Sequence, residues 1–237
     1  MKFKDISIEA GLNMDNSWSN GVNFEDINGD GFLDIYVTKV SPISPENSHN
    51  LLYINNGDLT FSEMSENYGL NFSGFSTHGT FFDYDRDGDL DLYVANDYGR
   101  NNLYRNNSGK FTDVAGEMGV EDMSAGMSAS WSDFNRDGYM DLYVSNMFSA
   151  AGNRITFQRQ FKPSITSEMK AQYQRHARGN TLFQGTKEGE FQDVSIEKEV
   201  TMGRWAWGSR FVDLNNDGWE DLIVANGFIT TDDTGDL

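Results

Sequence analysis

The chain has 237 residues, no cysteine and a formal net charge of −19 at neutral pH. This length allows a sizeable core in one or two domains, and the lack of cysteine excludes a disulfide framework. The acidic balance argues against binding of nucleic acid, whose phosphates require basic residues, and against anionic membranes. We recognise no signal peptide and no apolar run long enough to span a bilayer.

The first predicted element is a short strand, Phe3-Lys4-Asp5-Ile6, with the pattern Phe-x-Asp/Glu-hydrophobic-Ser/Ala. The same pattern returns at Phe61, Phe111 and Phe191, and its first three copies are followed by Gly-Leu or Gly-Val. Before each of the last three copies lies a further β-type segment: Leu51 to Gly57, Asn102 to Asn107 and Thr181 to Gly185. The Asn- and Gly-rich links between these segments predict hairpin turns.

A second pattern, Asp-x-Asn/Asp-x-Asp-Gly-x-x-Asp, alternates with the first at residues 26–34, 83–91, 133–141 and 213–221. Each copy has oxygen-bearing side chains at positions 1, 3, 5 and 9, which suit a hard divalent cation such as calcium. Glycine at position 6 permits a sharp turn, and acids packed this closely repel one another unless a cation lies among them. The plain alternative is four polar turns, which the four-fold recurrence in one strand context disfavours.

The surroundings of this motif distinguish it from an EF-hand. An EF-hand has glutamate at position 12 and flanking helices, whereas position 12 here is valine in every copy. The ninth Asp begins a β-branched or aromatic run in each case, which is typical of a strand. Each loop is therefore predicted to be the turn of a β-hairpin. The aromatics two residues before each loop are expected in the core between blades: Phe24, Phe81, Trp131 and Phe211.

The repeat thus has four short strands. The first aspartates of successive loops are 57, 50 and 80 residues apart (26 to 83, 83 to 133, 133 to 213), and such a period is typical of propeller blades. The predicted fold class is an all-β β-propeller of four-stranded blades with calcium-binding hairpin loops, forming one region over residues 1–237. About four blades are present. A third strand at Phe228 to Thr231 and a loop from Asp232 to Leu237 are expected, and the whole is expected to be part of a larger ring.

Residues 147–179 interrupt the repeat with a basic, partly helical insertion. Six basic residues lie between Asn153 and Arg178. Residues 167–175 contain good helix formers, with Ser164 or Thr166 as the N-cap and Gly179 at the end. Insertions on one face of a repeat protein often bind partners. The alternative, that this one folds over the propeller and neutralises nearby acids, is equally open.

The Asp-x-Asn-x-Asp-Gly-x-x-Asp units and the strand patterns resemble the FG-GAP/VCBS repeats of integrin-α-type propellers. Two segments, Ser149 to Arg154 and Gly203 to Ser209, are similar to stretches of the ASPIC/UnbV (cartilage acidic protein-like) family. The resemblance implies calcium in each loop, export from the cytoplasm, and a role in adhesion or macromolecular contact. It implies no agreed enzymatic activity. Such propellers usually have more blades than the four present here.

One calcium ion is predicted in each loop, about four in all. The predicted ligands are four side chains and the carbonyl oxygen of position 7 in each loop: Asp26, Asn28, Asp30, Phe32, Asp34; Asp83, Asp85, Asp87, Asp89, Asp91; Asp133, Asn135, Asp137, Tyr139, Asp141; Asp213, Asn215, Asp217, Trp219, Asp221. Loops of low affinity fill where calcium is abundant, which predicts an extracellular or bacterial cell-surface location.

Two function classes follow. The first is a calcium-stabilised recognition or adhesion module that binds protein or glycan, such as a cell-surface or outer-membrane complex. The second is a polysaccharide lyase or hydrolase on a propeller scaffold. We predict no catalysis, because no nucleophile–base pair or zinc-type spacing is found and the three histidines are scattered. Trp205 and Trp207 are expected in the core. An exposed apolar patch at the insertion would favour binding; convergent His, Tyr, Arg or spare carboxylates in the funnel would favour an enzyme.

Overall fold

The structure is a computed structural model that describes residues 2–12, 18–40 and 49–227. Within these ranges the chain forms three four-stranded sheets and one two-stranded sheet, each with its strands in sequence order. The all-β class and the four-stranded blade are confirmed. The chain divides into two compact units, Met1–Val94 with Leu103–Val114, and Ala95–Asn102 with Ala115–Leu237.

The elements follow one another in a regular meander. The first two sheets consist of β1 (Trp18–Glu25), β2 (Asp34–Val40), β3 (Leu51–Asn55), β4 (Phe61–Glu63), and β5 (Ser76–Phe82), β6 (Asp91–Asn96), β7 (Asn102–Asn106), β8 (Phe111–Asp113). The others consist of β9 (Gly126–Ser132), β10 (Asp141–Asn146), β11 (Thr181–Gly185), β12 (Phe191–Asp193), and β13 (Ala206–Val212), β14 (Asp221–Asn226). The helices are α1 (Ser65–Tyr68), α2 (Ala115–Met118), α3 (Ala150–Thr156) and α4 (Ser167–Arg178).

The second strand of each complete sheet forms the centre of the core. β6 and β10 are buried along their whole length, and their tyrosines Tyr93 and Tyr143 are inaccessible to solvent. Strands buried on both faces read as continuous apolar runs rather than alternating ones. In the first unit Phe81 packs edge-to-face on Tyr36 at 5.7 Å between ring centroids. In the second unit Phe211 packs the same way on Tyr143 at 6.1 Å, so these two predicted core aromatics are confirmed.

The Phe-x-Asp/Glu pattern joins the fourth strand back to the third. The Ser65 N–H donates to Glu63 at 2.9 Å, and the Ser65 hydroxyl accepts the N–H of Leu52 at 2.7 Å. Ser195 repeats both contacts with Asp193 and Leu182. The glycine that follows α1, Gly69, has a φ of 81°, a conformation that glycine adopts without strain.

An asparagine before each third strand closes the other end of the blade. Asn50, Asn101 and Asn180 are all buried. Their side-chain oxygens accept the backbone N–H of Lys39, Asn96 and Asn146, respectively, at 2.9, 2.8 and 2.8 Å. The link therefore holds the end of the second strand beside the start of the third. The strand patterns alone did not indicate this element.

Two expectations about the N-terminal part are wrong. Phe3 to Ile6 is not a strand, and Phe3 is almost fully exposed. A strand needs a partner for its backbone N–H and C=O groups, and none of the described residues pairs with this segment. Phe24 is 55% exposed rather than in a core, since no described residue covers that face of β1. The strand predicted at Phe228 to Thr231 and the loop after it lie outside the described residues.

Candidate metal centres

Each Asp-rich loop joins the first strand of a sheet to the second. Loop 1 (residues 26–34) connects β1 to β2, loop 2 (83–91) connects β5 to β6, loop 3 (133–141) connects β9 to β10, and loop 4 (213–221) connects β13 to β14. The ninth Asp is the first residue of the second strand every time. The predicted hairpin context is thus confirmed in all four copies.

The first and fifth positions of each loop hold the turn by accepting backbone N–H groups. The first Asp accepts the N–H of the glycine at position 6, at 2.9, 3.1, 3.0 and 2.8 Å in loops 1 to 4. The Asp at position 5 accepts the N–H of position 7, at 2.9, 3.1, 2.8 and 2.8 Å. The position-6 glycines have φ between 84° and 97°, where an L side chain would be strained.

The ninth Asp has a second role that ties the loop to the third strand. Asp34, Asp91 and Asp141 are at most 1% exposed. One oxygen of each accepts the N–H of position 2, and the other accepts an N–H of the third strand, from Asn55, Asn106 or Gly185, at 2.8 to 2.9 Å. A carboxylate oxygen has further lone pairs, so these contacts leave acceptor capacity toward the loop.

The electrostatics of loops 2 and 3 fit a bound cation. Burial is the largest cause that raises the pKa of Asp91 and Asp141 to about 7, and neighbouring acids add to it. Asp83 Oδ1 and Asp133 Oδ1 are buried without a hydrogen-bond donor. Buried acceptors without donors and desolvated acids that repel one another are stabilised by a positive charge among them. These oxygen donors are the type that calcium binds.

The loops differ in how closely their carboxylates approach. In loop 2, oxygens of Asp83, Asp85 and Asp91 all lie within 4.8 Å of one another, although the Arg105 side chain approaches Asp85 at 3.4 Å. In loops 1, 3 and 4 the position-3 Asn donates its amide N–H to the position-5 Asp, at 2.8, 2.8 and 3.0 Å. The full ligand sets, including the position-7 carbonyls, stay predictions.

Comparison with known proteins identifies the repeat. A family profile described as "FG-GAP-like repeat" matches residues 26–94, 83–144 and 172–224, and these spans include all four loops. The chain belongs to the FG-GAP-like repeat family. No curated protein matches it. Among solved structures it is similar to a lectin of Agrocybe aegerita, whose title describes recognition of non-reducing terminal N-acetylglucosamine. That match has 18% identity, a TM-score of 0.39, and covers 85% of this chain but 45% of the lectin chain.

The insertion of this FG-GAP-like chain contains two helices. The Ser149 hydroxyl accepts the Gly152 N–H at 3.0 Å at the start of α3. The Thr166 hydroxyl accepts the Met169 N–H at 3.2 Å at the start of α4, and Gly179 follows its last residue. Of the two predicted N-caps, Thr166 is confirmed. No helix in the described ranges is both long and apolar enough to cross a membrane.

Two arginines of α4 fasten the insertion to the third sheet. Arg175 pairs with Asp122 at 3.2 Å and with Asp193 at 3.0 Å, and Arg178 reaches the same Asp193 oxygen at 2.8 Å. Asp122 is fully buried; burial opposes its charge, but Arg175 and the surrounding hydrogen-bond donors lower its pKa overall. For these two arginines the alternative that the insertion neutralises nearby acids is therefore right.

The rest of the insertion leaves a mixed surface open to solvent. We define the insertion surface as six of the exposed side chains of α3, α4 and the segment between them, four apolar or aromatic and two arginine: Arg154, Ile155, Phe157, Arg159, Met169 and Tyr173. Gln174 donates to the Thr156 carbonyl and Lys170 to the Gln158 carbonyl, at 3.3 and 3.1 Å. These bonds hold the segment after α3 alongside α4, so the exposed apolar and basic residues share one region.

Trp205 and Trp207 are not in the core. Both are partly exposed, with ring centroids 6.4 Å apart. A register shift between Ala206 and Gly208 interrupts the strand alternation on which the core prediction depended. The Phe148 N–H donates to the Arg204 carbonyl at 2.7 Å. This bond holds the segment before β13 beside the start of the insertion.

Proposed function

We propose that this FG-GAP-like chain is a calcium-stabilised extracellular recognition module that binds a protein partner through the insertion surface. The observation that carries the proposal is the exposure of Phe157, which is 65% accessible and lies among other exposed apolar and arginine side chains. Contiguous apolar surface on a soluble protein is a mark of interaction sites. Aromatic residues, methionine and arginine are also the residues enriched in protein interfaces.

The charge of the insertion supports an acidic partner. Between Asn153 and Gly179 the chain has six basic residues and one acidic residue, Glu168, although its net charge is −19. Arg175 forms an ion pair with Asp122 and Arg178 forms one with Asp193, so neither charge is available to a partner. The exposed Arg154, Arg159 and Lys162 therefore supply the charge most available to a partner. This charge would speed association and determine orientation more than raise affinity.

The metal loops have a structural role in this proposal. Loop 3 ends at Asp141 and the insertion follows Asn146, so the six residues of β10 separate them by about 20 Å. A cation in the loop stabilises the blade that presents the insertion without contacting the partner. An extracellular location follows from the abundance of calcium outside the cytosol. A relationship to ASPIC/UnbV proteins belongs to the same proposal and is supported by the sequence similarity of Ser149 to Arg154 and of Gly203 to Ser209.

The proposal includes no intrinsic catalysis, and a propeller-scaffold lyase or hydrolase is the alternative. Calcium surrounded by protein oxygens leaves no open position for substrate chemistry. Turnover of a polysaccharide or ester library by the pure protein, abolished by one substitution outside the metal loops, would establish the enzyme instead.

Partner capture tests the binding proposal. A photo-crosslinking amino acid at position 157 is used on the surface of the producing cells, in the wild-type background and with Arg154→Glu plus Arg159→Glu. We expect one dominant protein adduct that the double reversal abolishes with the melting temperature unchanged. Lys187→Glu, an exposed charge reversal in the β11–β12 hairpin turn, is the matched control and leaves the adduct intact. An adduct that survives the double reversal, or that glycosidase removes, contradicts the proposal.

A further inference from the structure

Loop 3 and loop 4 contact each other through the side chain of Arg136. Arg136 occupies position 4 of loop 3, with a φ of 58°, and its guanidinium carbon lies 4.1 Å from the ring centroid of Trp219. Trp219 is position 7 of loop 4. This is a cation–π contact between two metal loops of the same compact unit.

A second contact joins the same two loops. The Ser132 hydroxyl, one residue before loop 3, donates to the Glu220 carboxylate at position 8 of loop 4. Trp219 is fixed within its own loop as well, because its backbone N–H donates to the Asp217 carboxylate at 2.8 Å. Positions 7 and 8 of loop 4 are thus held by side chains that flank the predicted ligands of loop 3.

We infer that the Arg136–Trp219 contact couples the two loops, so that a cation bound in loop 3 raises the affinity of loop 4. The inference rests on the proposed metal binding. A cation in loop 3 orders the turn that carries Arg136, and Arg136 in turn fixes the residue whose carbonyl is the predicted position-7 ligand of loop 4. Loop 4 then loses less conformational freedom when it binds its own cation.

Electrostatic repulsion acts against this coupling but does not reverse it. The charge of Arg136 is present whether loop 3 is filled or empty, so it shifts the affinity of loop 4 without contributing to the coupling. A cation in loop 3 is surrounded by the three acids of that loop, Asp133, Asp137 and Asp141, and exposed charges are screened by salt. An exposed cation–π contact supports a coupling of about two- to five-fold in affinity, and the effect on loop 3 must be the same.

Terbium luminescence gives a readout specific to loop 4. Terbium replaces calcium in oxygen sites, and its luminescence is sensitised by a nearby tryptophan. Position 7 is a tryptophan in loop 4, Trp219, whereas it is Phe32, Asp89 and Tyr139 in loops 1 to 3. The signal lost in Trp219→Phe defines the contribution of loop 4. The midpoint of that contribution is then measured in Asp137→Ala, which empties loop 3, in Arg136→Ala, and in the double variant.

We expect Asp137→Ala to raise the terbium midpoint of loop 4 by about two- to five-fold, and to have no further effect in the Arg136→Ala background. Arg86→Ala, at the same position of loop 2 with a φ of 64°, is the matched control and leaves the midpoint unchanged. Asp137→Asn replaces Asp137→Ala if the alanine variant does not fold. An unchanged midpoint with loop 3 empty overturns the coupling alone. Absence of any Trp219-dependent luminescence overturns the metal proposal, and the coupling with it.

Discussion

Arg175 donates its Nε–H to Oδ1 of Asp122 at 3.2 Å, and Asp122 has no solvent exposure. The same guanidinium donates to Asp193 at the end of β12 at 3.0 Å. The insertion is therefore anchored by a charge pair of which one member is wholly buried. This anchor separates the arginines that hold the insertion in place from those that remain open to solvent.

The first prediction concerns removal of this anchor. Arg175→Ala leaves the Asp122 carboxylate buried without its cation, and we expect a loss of about 3 kcal/mol in the free energy of unfolding. Arg159→Ala, at an exposed site in the same insertion, should change it by less than about 0.5 kcal/mol. Urea denaturation of both variants measures the difference. Equal stability of the two variants would show that the charge pair contributes nothing.

A second prediction is acid sensitivity of the anchor. The pKa of Asp193 lies below its usual 3.8: burial opposes the charge, and Ser195, Arg178 and Arg175 outweigh it. Asp122 is shifted in the same direction. As the pH falls, the unfolded chain therefore binds protons first, so this stabilisation is complete above about pH 4 and is lost below it. Asp193→Asn should flatten the stability–pH curve in that range, and a curve of unchanged slope would contradict the assignment.

Third, removal of calcium should destabilise the protein. Binding to the folded state alone stabilises it by about 2.7 kcal/mol per site at a hundred-fold excess over Kd. We expect EGTA to lower the melting temperature, and calcium, but not magnesium at equal concentration, to restore it. Asp87→Ala should remove one ion from the calorimetric stoichiometry and leave the other loops filled. Glu188→Ala, an exposed acid outside the loops, is the control. A melting temperature indifferent to EGTA would refute the role assigned to the loops.

The parts of the fold that could be predicted are those whose sequence pattern recurs along the chain. Position 9 of each loop was correctly placed at the start of a strand, because a β-branched run follows Asp34 and its equivalents every time. The strand at Phe3 to Ile6 was wrong because a pattern specifies the shape of a segment but not its partner. Trp205 and Trp207 were misplaced because an alternation argument does not detect a bulge.

The sequence predicts which residues form each metal loop but not which residues outside the loop they contact. The sequence supplies the acids of each loop, but not that Asp91 also accepts the N–H of Asn106 in the third strand. The anchor was not predictable either, because Asp122 and Arg175 are 53 residues apart in segments without a shared motif. The buried asparagines do carry a signal in the sequence: Asn50, Asn101 and Asn180 each stand directly before a third strand.

The last prediction tests that asparagine link. The Asn101 side-chain oxygen accepts the Asn96 N–H at 2.8 Å, and both residues are buried. Asn101→Ala removes this acceptor from a buried N–H, and the loss of such a bond costs about 1–3 kcal/mol.

Asn107→Ala, at an exposed position of the β7–β8 hairpin turn, is the matched control and should change stability by less than about 0.5 kcal/mol. Amide hydrogen exchange gives the local readout. The Asn96 amide should exchange faster in Asn101→Ala, while the amides of β10 keep their protection relative to the global stability. If the Asn96 amide instead stays as protected as in the wild type, the side chain of Asn101 does not hold the end of β6, and the link is incidental to the blade.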